Sequence, residues 1–115
     1  AVVGYGNIGK SVVEALQAAP DFEIAGIIRR NGPENKPSEL TAYEVVKDIT
    51  ELKDVDVAII SSPTRQVEEQ AKKILALGIN TVWINRGGKV VPEGVVAVKN
   101  LLEIFETEFL KQNHF

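Results

Sequence analysis

Six residues near the start of the chain, Gly4-Tyr5-Gly6-Asn7-Ile8-Gly9, limit its fold more than any other feature. The Gly-x-Gly-x-x-Gly spacing stands directly behind the apolar Ala1-Val2-Val3. Directly ahead of it, Ile8, Val12, Ala15, Leu16 and Ala19 recur as one buried helix face until Pro20. Each glycine has its own mechanical reason. Gly4 permits the tight turn, Gly6 lets backbone approach a diphosphate with no side chain between, and Gly9 lets the helix lie close on the strand. The helix start then offers unpaired N–H groups and partial positive charge to an anion. The opening strand is shorter than the usual five or six residues, so it is expected to begin upstream of Ala1.

The remainder alternates apolar strands with amphipathic helices. Segment 24–28 is short and Ile-rich and exits into the turn Arg29-Arg30-Asn31-Gly32-Pro33; residues 32–38 predict a surface loop. Tyr43-Glu44-Val45-Val46 suits a short strand or a helix start, and a strand is preferred. Segment 55–60 is nearly all apolar, as in a parallel strand covered on both faces, and Ser61-Ser62-Pro63-Thr64 ends it. Val67, Ala71, Ile74 and Leu75 form a second helical stripe, with Glu68, Glu69, Lys72 and Lys73 on the wet side and Gly78 at the stop. Segment 79–84 returns as a strand.

Beyond Asn85, Arg86-Gly87-Gly88-Lys89 reads as a flexible connection. Val95, Val98, Leu102, Phe105 and Phe109, widened by Leu101 and Ile104, predict a final helix from residue 95 to about residue 112, packed on its own sheet, on another chain or on a missing domain. The predicted class is α/β: a Rossmann-type parallel sheet with helices on both faces, plus a long C-terminal helix. The expected division is a dinucleotide-binding domain at 1–85, a connection at 86–94 and the helix at 95–115.

The exit of the second strand selects the dinucleotide. An acid there ordinarily accepts hydrogen bonds from the ribose 2'-hydroxyl of NAD, whereas this chain has Arg29 and Arg30. Guanidinium groups hold a 2'-phosphate through paired, charge-assisted hydrogen bonds, so NADP is the expected cofactor; the competing reading is a solvated turn. Glu23 lies at the entry of that strand and is not the missing acid. At the exit of the 55–60 strand the hydroxyls of Ser61, Ser62 and Thr64 reach the cofactor, cap the next helix, or do both, and Pro63 shapes the wall near the nicotinamide. Arg65 is read as a phosphate contact or as solvated. The expected cofactor-binding set is Gly4, Tyr5, Gly6, Asn7, Ile8, Gly9, Arg29, Arg30, Ser61, Ser62, Pro63 and Thr64.

No catalytic set emerges from the other residues. The one histidine, His114, is next to the last residue, and no acids pair at a spacing suited to acid and base work, so neither a triad nor a metal site is expected. The absence of cysteine excludes disulfides, thiolate zinc sites and thiol nucleophiles, and suits a reducing compartment such as the cytoplasm. With 13 basic against 16 acidic residues the net charge is -3, which gives no bulk attraction to nucleic acid or anionic lipid; an anion site must be local. The apolar run 55–60 is far short of the roughly 20 residues a membrane helix needs, so no membrane partner is expected.

Four stretches carry a family resemblance: Val3-Gly4-Tyr5-Gly6-Asn7-Ile8-Gly9-Lys10-Ser11, Gly26-Ile27-Ile28-Arg29-Arg30, Ala58-Ile59-Ile60-Ser61-Ser62-Pro63-Thr64, and Ala76-Leu77-Gly78-Ile79-Asn80-Thr81-Val82. Together they resemble the NADP-binding domain of the meso-diaminopimelate dehydrogenase family and, more broadly, the two-domain oxidoreductases of the glucose-fructose oxidoreductase type. The resemblance covers residues 1–82. It implies NADP-linked oxidative deamination of the amino acid meso-2,6-diaminopimelate at its D-centre, cytoplasmic metabolism connected with lysine and cell-wall precursors, and a homodimer. In that family the Asn-Thr-Val strand runs into an Asp-containing segment that helps to hold substrate, whereas here it runs into Trp83-Ile84-Asn85-Arg86. The family's substrate and dimerisation domain follows at the point where this chain has its Gly-Gly connection. The expectation is a cofactor domain without its substrate domain, either a fragment or a minimal domain. An NADP-binding module without catalysis, and a sugar or other amino-acid oxidoreductase, are the alternatives.

Overall fold

The computed structural model describes residues 1–19, 22–62, 64–85 and 90–99. Strands β1 (Val2–Val3), β2 (Ile27–Ile28), β3 (Val45–Val46), β4 (Val57–Ile60), β5 (Asn80–Ile84) and β6 (Val95–Val98) form one sheet in the order β3-β2-β1-β4-β5-β6. Every neighbouring pair is parallel. Helix α1 (Asn7–Ala18) follows β1 and helix α2 (Thr64–Ala76) follows β4.

The side-chain period of two distributes the apolar strand residues between two cores. Val2, Ile27, Ile59 and Val82 point to the face where Val12, Val13 and Leu16 of α1 lie. Their neighbours Val3, Ile60 and Trp83 point to the other face, against Val67, Ala71 and Ile74 of α2. A sheet buried on both faces explains why the strands read as continuous apolar runs and not as alternation. Helix α1 ends where expected: Ala19, which precedes Pro20, has left helical geometry (φ -97°, ψ 112°), as the clash with a following proline ring demands. Helix α2 closes with the Gly78 N–H on the Leu75 carbonyl at 2.9 Å.

Two expectations require revision. The strand expected at 24–28 is paired only over Ile27–Ile28. More consequentially, Val95–Val98, expected to open the C-terminal helix, is the strand β6, with Val95 opposite Thr81 and Val98 opposite Ile84. A Val-Val-Ala-Val run satisfies a three-residue helical step and a strand equally, and the open edge of β5 offers a hydrogen-bond ladder that favours the β-branched strand. The sheet therefore extends past the expected boundary at residue 85. Residues 86–89 of the expected connection and residues 100–115 of the expected helix lie outside the described residues, His114 among them. Among the described residues no helix is long and apolar enough to cross a membrane.

Candidate functional site

After β3 the chain returns to the middle of the sheet and pairs β4 against β1. This reversal opens a cleft of about 1260 Å³ beyond the carboxyl ends of the strands, as open parallel sheets do at a switch point. Gly4, with φ +90°, turns the chain out of β1, and its N–H donates to the Ile28 carbonyl at 2.9 Å. A Cβ on Gly9 would stand 2.3 Å from the Gly4 carbonyl oxygen, so α1 rests directly on the turn and only glycine fits. Gly6 is different: a Cβ there would meet nothing within 4 Å, and the missing side chain leaves open space before the helix.

That space faces an uncompensated helix start. Gly6 is the cap residue, its carbonyl accepts the Lys10 N–H at 2.9 Å, no side chain caps the leading N–H groups, and the first turn holds no acid. Gly6, Asn7 and Ile8 line the cleft. Orphan donors, the positive end of the helix dipole and room for an anion coincide, and these features fit a nucleotide diphosphate.

The cleft is basic although the chain is acidic overall. Among the described residues Arg29, Arg30, Lys47, Arg65 and Lys73 line it, against the one acid Glu69. The exit of β2 carries no carboxylate, because Arg29, Arg30 and Asn31 follow Ile28 directly. Arg29 is anchored: Nη1 donates to the Gly32 carbonyl at 3.3 Å and to the Glu34 carbonyl at 3.2 Å. Arg30 is exposed. Across the cleft, Gln66, Glu69, Gln70 and Lys73 form a stripe on α2 at steps of three and four.

Two ties fix the walls. Lys73 pairs with Asp48, which also accepts from the Thr50 N–H at 3.0 Å and the Thr50 hydroxyl at 2.8 Å; these donors, Lys73 first, pull the Asp48 carboxyl down to about 2. The Tyr5 hydroxyl donates to Glu39 Oε1 at 3.0 Å, joining the glycine turn to the β2–β3 connection. Desolvation, then the bond to Glu39 and the nearby carboxylates, raise the Tyr5 phenol to about 12.

The structure brings most of the expected set together. Gly4, Tyr5, Gly6, Asn7, Ile8, Arg29, Arg30, Ser61 and Ser62 all line the cleft, while Gly9 lies buried beneath the turn. Ser61 has a structural use: its hydroxyl donates to the Val3 carbonyl at 3.1 Å and the Gly4 carbonyl at 3.0 Å, pinning the glycine turn to β4. Pro63 and the side chain of Thr64 lie outside the described residues. Sequence reasoning passed over Lys47, whose signal was its place one residue beyond the third parallel strand. It placed Glu69 and Lys73 on the wet side of α2, where both are exposed, without seeing that this face borders the cleft. Among the described residues no group of three or more His, Cys, Asp or Glu could hold a metal ion.

Comparison with known proteins agrees with this geometry. A family model described as an oxidoreductase family with an NAD-binding Rossmann fold matches residues 1–84. The chain is 72% identical over 82 residues to a meso-diaminopimelate D-dehydrogenase of Bacteroides fragilis, covering 71% of this chain and 27% of that protein. It is 33% identical over 88 residues to an L-aspartate dehydrogenase of Archaeoglobus fulgidus, covering 75% of this chain and 34% of that protein. The chain thus spans about a third or less of the length of these curated relatives.

Proposed function

The chain belongs to the oxidoreductase family with an NAD-binding Rossmann fold, and from that premise we propose that it is the NADP-selective cofactor domain of a meso-diaminopimelate dehydrogenase-like amino-acid dehydrogenase. The observation that carries the NADP reading is the exit of β2, where arginines and an asparagine replace the acid that an NAD ribose needs. The identity of 72% to the Bacteroides fragilis enzyme supports the substrate class. Oxidative deamination in a cytoplasmic homodimer, linked to lysine and cell-wall precursors, belongs to the same reading.

The chain's own groups have defined tasks in it. The leading N–H groups of α1 hold the diphosphate across the gap at Gly6, and the cations at the β2 exit take the 2'-phosphate. Ser61 keeps the glycine turn rigid, and the Tyr5–Glu39 bond keeps the β2–β3 connection against it. The chemistry the nucleotide supplies when bound is acceptance of a hydride from the amino-bearing carbon, which leaves an imine for water to hydrolyse to a 2-oxo acid and ammonium.

Calorimetric titration of the chain with NADP+ and with NAD+ tests the cofactor assignment. The expected result is NADP+ binding tighter by about tenfold or more, the worth of one or two hydrogen bonds to a charged group; equal affinities overturn it. The likeness to L-aspartate dehydrogenase favours a second reading, a different amino-acid substrate on the same cofactor domain. NADPH formation by the full-length gene product with meso-diaminopimelate, against none with L-aspartate, separates the two.

A further inference from the structure

The two arginines that follow β2 are not equivalent. The Arg29 guanidinium already donates to the Gly32 and Glu34 carbonyls, and it closes a turn whose backbone bonds run from Gly32 N–H to the Arg29 carbonyl at 3.0 Å and from Glu34 N–H to the Asn31 carbonyl at 3.2 Å. Both bonds come from Nη1, so this nitrogen ties the guanidinium to the turn and limits its reach. The position of Arg29 relative to the third strand is fixed as well, by its own N–H on the Val46 carbonyl at 2.9 Å.

Lys47 stands beside it. The register pairs Ile28 with Val46, which sets Arg29 and Lys47 side by side as the first residues beyond two adjacent parallel strands. A Cβ on Gly32 would lie 2.8 Å from Lys47 Cγ and 3.6 Å from Lys47 Cε, so the aliphatic stem runs over the glycine and buries it. Lys47 lines the cleft together with Arg30 and Asn31. The adjacent Asp48 does not neutralise it, since that carboxylate is taken by Lys73 and Thr50. Among the described residues Lys47 joins no ion pair.

We propose that Lys47 and Arg30 are the cations that recognise the 2'-phosphate, with Arg29 a positioning residue that shapes the turn between them. This rests on the NADP reading and reassigns the specificity within it. A lysine ammonium acts as a point charge while Arg30 supplies the planar fork, and the two approach the phosphate from different strands.

The test measures dissociation constants for NADP+ and NAD+, together with Tm, on the wild type, Lys47→Met, Lys47→Arg and Arg30→Gln. Methionine keeps the stem over Gly32 and removes only the charge. Lys47→Met is expected to weaken NADP+ about tenfold, leave NAD+ within about twofold and hold Tm; Lys47→Arg is expected to restore the preference. A wild type that prefers NADP+, with a Lys47→Met protein that keeps that preference, overturns the Lys47 assignment alone. A wild type with no preference overturns the NADP reading and this assignment with it.

Discussion

The two wings of the sheet are built differently. On one side β2 and β3 are two residues long each, and the chain leaves the sheet early into the charged exits Arg29-Arg30 and Lys47-Asp48. The connections around these strands are held by side chains: Arg29 on two carbonyls, Lys36 on the Tyr43 carbonyl, Gln17 on the Tyr43 hydroxyl, Tyr5 on Glu39. On the other side β4, β5 and β6 run four, five and four residues, their ladder carries the pairing, and their apolar residues pack into both cores. The contrast teaches where selectivity can be placed. A short strand frees long polar exits to meet a ligand, while the long-strand wing supplies the burial that keeps those exits in position.

The largest effect that would break this division is on the long-strand wing. Trp83, 3% exposed and packed with Ile60 and the α2 residues Val67 and Ala71, is expected to cost about 3–5 kcal/mol on replacement by alanine. That lowers Tm by on the order of 10 °C and leaves the ratio of NADP+ to NAD+ affinity unchanged. A changed ratio in the folded variant would mean that selectivity is not confined to the short-strand wing. Next comes the junction of the wings. Gly9→Ala forces a Cβ against the Gly4 carbonyl, a rigid neighbour, at an expected cost of about 1–3 kcal/mol in urea denaturation. On the proposed reading the glycine turn serves the diphosphate common to both dinucleotides, so titration should show both affinities falling together; loss of NADP+ alone would tie Gly9 to the 2'-phosphate instead.

Legibility in the sequence follows the same division. The glycine turn, both helices and the β4 and β5 strands were readable because local pattern and tertiary role coincide: Val67, Ala71 and Ile74 recur at helical spacing and are buried at it. The Arg29-Arg30 exit was readable as basic, but its division of labour was not. The anchoring of Arg29 depends on carbonyls three and five residues on, and the approach of Lys47 depends on the register of β2 with β3, a non-local fact. Strand β6 was missed for the same reason, since what decides Val95–Val98 is the vacant edge of β5 and no periodicity reports it. Ser61 reads as a ligand residue because its place at a strand end is visible in sequence, whereas its bonds to the Val3 and Gly4 carbonyls are not.

The smallest effect concerns the tie between Lys73 and Asp48 at the cleft wall. Asp48 caps the short turn Ile49–Glu51, with Glu51 returning the bond to the Asp48 N–H at 3.1 Å, and it draws Lys73 of α2 across to β3. Its carboxyl falls from 3.8 to about 2. A depressed folded-state value means the stabilisation is complete above the unfolded value and disappears as pH falls from about 4 towards 2. Both side chains are well solvated, at 53% and 35% exposure, so screening limits the ion pair to below about 1 kcal/mol. Asp48→Asn keeps an N-cap acceptor and removes the charge, so its expected signature is a flatter acid limb between pH 4 and 2 in a Tm-versus-pH series, with little change at pH 7 beyond the lost pair. Since Asp48 adjoins Lys47, the same variant also frees Lys73 to add positive charge near the rim; an NADP+ affinity that rises slightly while NAD+ holds is expected. An acid limb as steep as that of the wild type would show that the two wings are not joined through this contact.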